Sequence, residues 1–258
     1  MPRLPKVFTS PQSYWQSSRA HRYSLLFALP LLIAYEALAA VLSLEPGGGI
    51  RNGADVLLRT AFYTVGGRHG PLLFSAVILG VGVWLIGRDM RARGVKLRPA
   101  VFAGMLAESV VLALAFGVVV GGITARILGV FAMLGGHPAA LMLSPIQQLD
   151  FPTRVMVSLG AGLYEELVFR VILVGGLAWA GRSLLGARPA VAGLVAAVLG
   201  ALIFSAFHYV GAYGDRWELQ SFTFRFIGGL AFSALFLLRG FGITAWTHAL
   251  YDVFLLLL

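Results

Sequence analysis

Long apolar stretches dominate this 258-residue sequence and constrain its fold more than any other feature. A helix needs roughly 20 mostly apolar residues to cross the hydrocarbon core of a bilayer. Hydrophobic residues make up 59% of the chain and charged residues only 12%, whereas ordinary soluble domains carry about 25% charged residues. The core of one soluble domain cannot bury so much apolar sequence. We therefore predict an all-α, polytopic membrane helix bundle.

The apolar stretches predict about seven transmembrane helices, separated by Gly, Pro and basic residues. One shorter stretch, residues 51–65, places Asp55 and Arg59 four residues apart on one helical face, which favours an ion pair. We expect that helix to be interfacial or re-entrant. No linker or repeat divides residues 23–258, which we interpret as a single integral membrane domain after a basic cytoplasmic segment, residues 1–22. The predicted spans are residues 23–44, 71–86, 100–120, 154–180, 190–210, 222–238 and 243–258.

The basic residues lie mainly at the ends of the apolar stretches. The net charge is +9, but this distribution is typical of membrane topology and not of a nucleic-acid-binding face. Short cytoplasmic loops accumulate Lys and Arg, so we place the N-terminus and the loop 88–98 in the cytoplasm. The chain contains no cysteine, which excludes disulfides and a thiolate nucleophile.

Ionisable residues inside three of the predicted spans are the strongest functional signal. Each costs at least about 2.5 kcal/mol at the centre of a membrane helix, so such residues rarely persist without a partner or a role. Glu166 and Arg170 are four residues apart and can form an intrahelical ion pair. Glu165 points about 100° away from Glu166 and has no local cation, which makes it a candidate general base.

Two later spans add His208 and the pair His248 and Asp252, which are four residues apart. Taken singly, His208 is typical of an interfacial packing residue, and Asp252 of a carboxylate that orients a histidine. The acids and Arg170 together are also compatible with a structural cluster that performs no chemistry. Three helices that each carry acid or imidazole groups favour a functional site.

The strings Glu165-Glu166-x-x-x-Arg170, Phe204-x-x-x-His208 and His248-x-x-x-Asp252 resemble the CPBP family of CAAX-prenyl endoproteases and bacteriocin-processing enzymes. The resemblance covers about residues 151–258 and implies a glutamic-type intramembrane endopeptidase. It implies that Glu165 and His208 activate a water molecule and that His248 stabilises the oxyanion, with Glu166, Arg170 and Phe204 in support. Asp252 stands where the family usually has Asn, so its role is open: a protonated donor, or a residue that orients His248.

The resemblance also implies the cellular setting. The string Arg51-Asn52-Gly53-Ala54-Asp55 is similar to the N-terminal region of myxosortase-like bacterial branches, although a capped helix with an Asp55–Arg59 pair explains the string as well. We expect a bacterial inner membrane and a membrane-anchored or membrane-inserted peptide substrate. Zinc is the cofactor to consider, but the chain has no HExxH pair, and we expect no cofactor.

Two other classes of function remain open from the residues alone. Intramembrane Glu and His residues are also used by proton-coupled transporters. A non-catalytic immunity or binding protein could keep the same fold.

Overall fold

The computed structural model describes residues 11–44, 49–94, 96–133, 148–211 and 213–257, and these residues form a helical bundle. Residues 1–10 of the predicted cytoplasmic segment lie outside the described residues, and its remainder contains a short helix. The helices are α1 Pro11–Ser18, α2 His21–Leu42, α3 Gly53–Gly66, α4 Gly70–Arg93, α5 Pro99–Met133, α6 Phe151–Gly160, α7 Gly175–Ser183, α8 Pro189–Phe207, α9 Leu219–Arg239 and α10 Phe241–Leu257.

The lengths and compositions of the helices confirm a polytopic membrane protein. Five helical stretches of the described chain are long and apolar enough to cross a bilayer: His21–Leu42, Gly53–Ala92, Pro99–Val130, Pro189–Phe207 and Leu219–Arg239. Two further elements complete the bundle. These are the shorter apolar helix α10 and one continuous helix formed by α6, a π-helical segment Ala161–Val174, and α7.

Polar contacts gather five helix ends at one end of the bundle, which we call the N-terminal face. Arg22, at the start of α2, lies 3.5 Å from Asp89 near the end of α4. Arg239, at the end of α9, donates to Glu108 of α5 at 2.6 Å. The backbone N–H of Gly242, at the start of α10, donates to Ser24 at 2.7 Å. Since α9 ends at this face, its start and the loop 208–218 lie at the opposite face.

Helix α3 is re-entrant. It forms a hairpin with α4, in which the rings of Phe62 and Phe74 meet edge to face with their centroids 5.5 Å apart, a distance typical of aromatic pairs. Because α4 ends at the N-terminal face, its start at Gly70 and the end of α3 lie at the opposite face. A helix of this length spans roughly 20 Å. The start of α3 at Gly53 therefore lies deep inside the bundle.

Helix α10 lies at the centre of the bundle and packs against α2, α5, α6, the π-helical segment and α9. Small residues allow the closest of these contacts, as expected where membrane helices pack without a hydrophobic driving force. A Cβ atom added to Gly162 would lie 2.3 Å from the backbone oxygen of Ala245 and 2.6 Å from the Cβ of Ala249. Glycine at position 162 thus fixes the distance between α10 and the helix that carries Glu165.

We expect Gly162→Ala to lower the free energy of unfolding by about 1–3 kcal/mol, because the added methyl group meets backbone atoms that cannot rotate away. Gly176→Ala is the matched control, since a Cβ at that helical glycine meets nothing within 4 Å. Thermal unfolding of both variants in the same detergent measures the difference. Equal melting temperatures would contradict this account of the α10 contact.

Candidate active site

The residues of the first motif lie in the π-helical segment Ala161–Val174. The backbone N–H of Gly175 donates to the carbonyl of Arg170, five residues earlier, as a π-helix requires. The start of the continuous helix is fixed by Asp150, whose carboxylate accepts the backbone N–H of Thr153 at 2.8 Å. This bond, and the one from the Thr153 hydroxyl, lower the pKa of Asp150. Wide π-helical turns are frequent at functional sites.

Glu166 joins the first motif to the last. Its Oε1 atom accepts a hydrogen bond from Nδ1 of His248 at 2.7 Å, and its Oε2 atom lies 3.2 Å from Nε of Arg170. All three side chains are buried. The ion pair with Arg170 is the one that the four-residue spacing predicts, whereas the hydrogen bond to His248 of α10 was not predicted. One carboxylate therefore holds a cation of its own helix and an imidazole of a second helix.

The guanidinium of Arg170 is held mainly by aromatic rings. It lies 4.3 Å from the ring centroid of Phe204 and 5.5 Å from that of Phe232, both within the range of cation–π attraction. None of its nitrogen atoms makes a well-aligned hydrogen bond to another described residue. Phe204 also contacts the rings of Phe169 and His208 edge to face. Phe204, the first residue of the second motif, thus supplies an aromatic ring against which the Arg170 cation of the first motif lies.

Glu165 faces His208 across a short gap. The Oε2 atom of Glu165 lies 3.9 Å from Nε2 of His208, too far for a direct hydrogen bond, and it has no hydrogen-bond partner among the described residues. The other ring nitrogen of His208, Nδ1, lies 2.9 Å from the carbonyl oxygen of Phe204. A carbonyl only accepts, so Nδ1 carries the proton. In neutral His208 the Nε2 lone pair is therefore directed to the Glu165 side.

Asp252 lies farther from His248 than Glu166 does. Its Oδ2 atom is 3.7 Å from Nε2 of His248, and its side chain is partly exposed. The shorter contact, at 2.7 Å, shows that Glu166 orients the His248 ring. His248 also stacks on Phe232, with ring centroids 4.3 Å apart.

Asn52 is a member of the site that our sequence interpretation did not include. Its Nδ2 atom donates to Oε1 of Glu165 at 2.9 Å, although the two residues are 113 positions apart. Asn52 is also the N-cap of α3, because its Oδ1 atom accepts the backbone N–H of Ala54 at 2.9 Å. The close approach needs Gly160, where a Cβ would lie 2.7 Å from the Cβ of Asn52.

Comparison with known proteins matches one part of the chain to a family. Residues 147–254 match the family model described as type II CAAX prenyl endopeptidase Rce1-like, and the match includes all three motifs. Residues 147–254 form an Rce1-like domain of the CPBP family. No curated protein and no solved structure matches the chain.

The Rce1-like domain does not include α2 and α3, yet these helices bring a second polar cluster to it. Asp55 is fully buried and accepts hydrogen bonds from Tyr35 at 2.8 Å, Arg51 at 2.8 Å and Arg59 at 2.6 Å. The predicted Asp55–Arg59 pair is thus present. Glu36 accepts from Arg59 at 2.6 Å and from Tyr164, the neighbour of Glu165, at 2.8 Å.

The sequence contained one signal for this cluster, the string of residues 51–55 that begins α3. The spacing of Asp55 and Arg59 predicts a pair on this helix, but it does not indicate which other helix the free face of α3 contacts. Within the described ranges, no group of three or more His, Cys, Asp or Glu side chains is arranged to hold a metal ion.

We expect Glu166→Ala to lower the free energy of unfolding by about 3–5 kcal/mol, because it leaves the buried Arg170 cation without a counter-charge. Glu36→Ala is the control. Its carboxylate is partly exposed and both of its arginine partners keep Asp55, so the main loss is the hydrogen bond from Tyr164, and we expect a smaller effect of about 1–2 kcal/mol. Chemical unfolding in detergent measures both. Similar losses for the two variants would contradict the role of Glu166 as the link between helices.

Proposed function

We propose that the chain is a glutamic-type intramembrane endopeptidase, in which Glu165 and His208 activate the attacking water. One observation carries the proposal: a carboxylate oxygen and an imidazole nitrogen face each other at 3.9 Å with no direct hydrogen bond between them. A water molecule at about 2.8 Å from each atom would bridge them. The Rce1-like domain supports membrane endopeptidase activity in general.

The protonation pattern supports the same assignment. The Nδ1 proton of His208 is committed to the Phe204 carbonyl, so both Nε2 and the Glu165 carboxylate accept hydrogen bonds. A water between two acceptors directs both of its hydrogens to them and leaves its lone pairs free to attack a peptide carbonyl. Glu165 then takes a proton from the water, and after the C–N bond breaks it returns that proton to the leaving amine.

His248 is the proposed donor to the oxyanion. Its Nδ1–H is already bound to Glu166, so it can donate through Nε2 only when both ring nitrogens carry protons. An imidazolium between Glu166 and Asp252 would be balanced by nearby negative charge. We propose that the Asp252 carboxylate balances the charge of the His248 imidazolium. The family usually has Asn at this position, whose amide carries no charge. The proposed hydrolysis uses no metal ion.

The arrangement of the helices also supports an assignment of the membrane side to which the site opens. Basic residues concentrate at the N-terminal face, which the positive-inside rule places in the cytoplasm. They lie around the end of α4 (Arg88, Arg91, Lys96 and Arg98) and around the turn between α7 and α8 (Arg182 and Arg188). His208 lies at the end of α8 next to the loop 208–218, on the opposite face. We propose that the N-terminus is cytoplasmic, that the protein resides in a bacterial inner membrane, and that it cleaves a membrane-anchored peptide near the outer side.

We expect Glu165→Gln and His208→Ala each to reduce peptide cleavage by about 100-fold or more, because each removes a group that binds and deprotonates the water. Glu165→Gln keeps an oxygen that can accept the Asn52 hydrogen bond, so it should fold and retain substrate. Quantitative proteomics of membranes from cells carrying Glu165→Gln should show an accumulating precursor that co-purifies with the variant. His69→Ala, an exposed histidine in the turn 67–69, is the control.

Full complementation of a deletion by both Glu165→Gln and His208→Ala would exclude catalysis and favour an immunity or binding protein. If these variants lost an ion flux in liposomes without any change in peptide cleavage, a transporter would be favoured.

The membrane side to which the site opens can be tested with single cysteines, because the natural chain contains none. Val210 and Leu185 lie a few residues beyond the two ends of α8, and both side chains are exposed. In intact cells we expect a membrane-impermeant maleimide to label Val210→Cys and to leave Leu185→Cys unlabelled until the membrane is permeabilised. The reverse pattern would place the site at the cytoplasmic side.

A further inference from the structure

We propose that Asn52, which lies outside the Rce1-like domain, is a positioning residue of the active site that holds Glu165 in its reactive orientation. The inference rests on the proposed function of Glu165 as general base. Asn52 itself belongs to none of the three motifs, since it reaches the site from the start of the re-entrant helix α3.

The Asn52 amide distinguishes the two oxygens of the Glu165 carboxylate. Its Nδ2 atom donates to Oε1 at 2.9 Å, while Oε2 is the atom near His208 and has no hydrogen-bond partner among the described residues. An amide donor fixes the rotation of the carboxylate plane, so that Oε2 is the oxygen available to the attacking water. A donor also favours the ionised form of a carboxylate, which is the form that accepts a proton.

Asn52 is itself held at two further points. Its Oδ1 atom accepts the backbone N–H of Ala54, and its own backbone N–H donates to the hydroxyl of Tyr35 at 3.2 Å. That hydroxyl in turn donates to the fully buried Asp55 at 2.8 Å. Asn52 is 2% exposed, so solvent does not compete for these bonds.

The position of α3 adds to the effect of the amide. The helix begins at Asn52, whose side chain contacts Glu165, so the N-terminus of α3 and its partial positive charge lie near the Glu165 carboxylate. The second polar cluster therefore has a purpose beyond stability. Its two arginines and two carboxylates neutralise one another while they anchor the start of α3 beside the reactive glutamate.

The two functions of the Asn52 side chain can be separated by substitution. Ser is a good N-cap residue, so Asn52→Ser keeps an acceptor for Ala54, but its side chain is too short to donate to Glu165. Tyr164→Phe is the matched control: it removes a buried hydroxyl of the same cluster, which donates to Glu36 at 2.8 Å. That hydroxyl makes no hydrogen bond to Asn52 or Glu165.

The test uses the full chain in detergent with a fluorescence-quenched peptide joined to a single hydrophobic membrane anchor. We expect Asn52→Ser to lower kcat about 10- to 100-fold, the range expected for a hydrogen bond to a charged group, with little change in KM. The acid limb of its pH–kcat profile should move to higher pH by about one to two units. Tyr164→Phe should keep the wild-type kcat and profile.

A second measurement does not depend on cleavage. The infrared band of the protonated Glu165 carboxyl, assigned by its disappearance in Glu165→Gln, can be followed during a pH titration. Asn52→Ser should retain this protonated form to higher pH than the wild type. If the wild-type chain cleaves no peptide, the proposed function fails, but the titration still tests the Asn52 contact.

Two outcomes would overturn the inference. The first is an unchanged pH profile and infrared titration in Asn52→Ser. The second is an equal loss of kcat in Tyr164→Phe, which would show that any disturbance of the cluster has the same effect and that Asn52 has no specific role.

Discussion

The hydrogen bond between Glu166 and His248 is the contact that joins the helix of the first motif to the centre of the bundle. A carboxylate without any exposed surface needs compensation from within the protein, since the surrounding lipid offers none. Glu166 obtains it from Arg170 one turn along its own helix and from His248 of α10. Because α10 also packs against α2, α5 and α9, this contact fixes the motif helix relative to most of the bundle.

The same requirement explains why the aromatic residues lie where they do. A buried guanidinium has more donors than Glu166 can satisfy, and the rings of Phe204 and Phe232 supply electrostatic attraction to its face. Phe204 lies four residues before His208, and its backbone carbonyl accepts a hydrogen bond from the Nδ1–H of that histidine. Phe204 thus stabilises the Arg170 cation of the first motif and sets the tautomer of His208 in the second.

Polar groups around Glu165 form two connected regions. The first contains the motif residues, and the second contains Asp55, Arg51, Arg59 and Glu36 around the start of α3. Asn52 joins them through Glu165. The re-entrant course of α3 makes this possible, because a helix that crossed the whole membrane would place its N-terminus at a surface and not beside a glutamate in the interior.

The sequence by itself determined the helical membrane bundle, the approximate positions of its apolar helices, and the Asp55–Arg59 and Glu166–Arg170 pairs with four-residue spacing. These features depend on local properties: the length of an apolar stretch and the angle between neighbouring residues of one helix. Only the tertiary structure decided that Glu166 holds His248 and that Asn52 reaches Glu165. Both contacts join residues of different helices, more than 80 positions apart. The periodicity of the sequence indicates which face of a helix is polar. The packing of the helices decides which other polar face that face contacts.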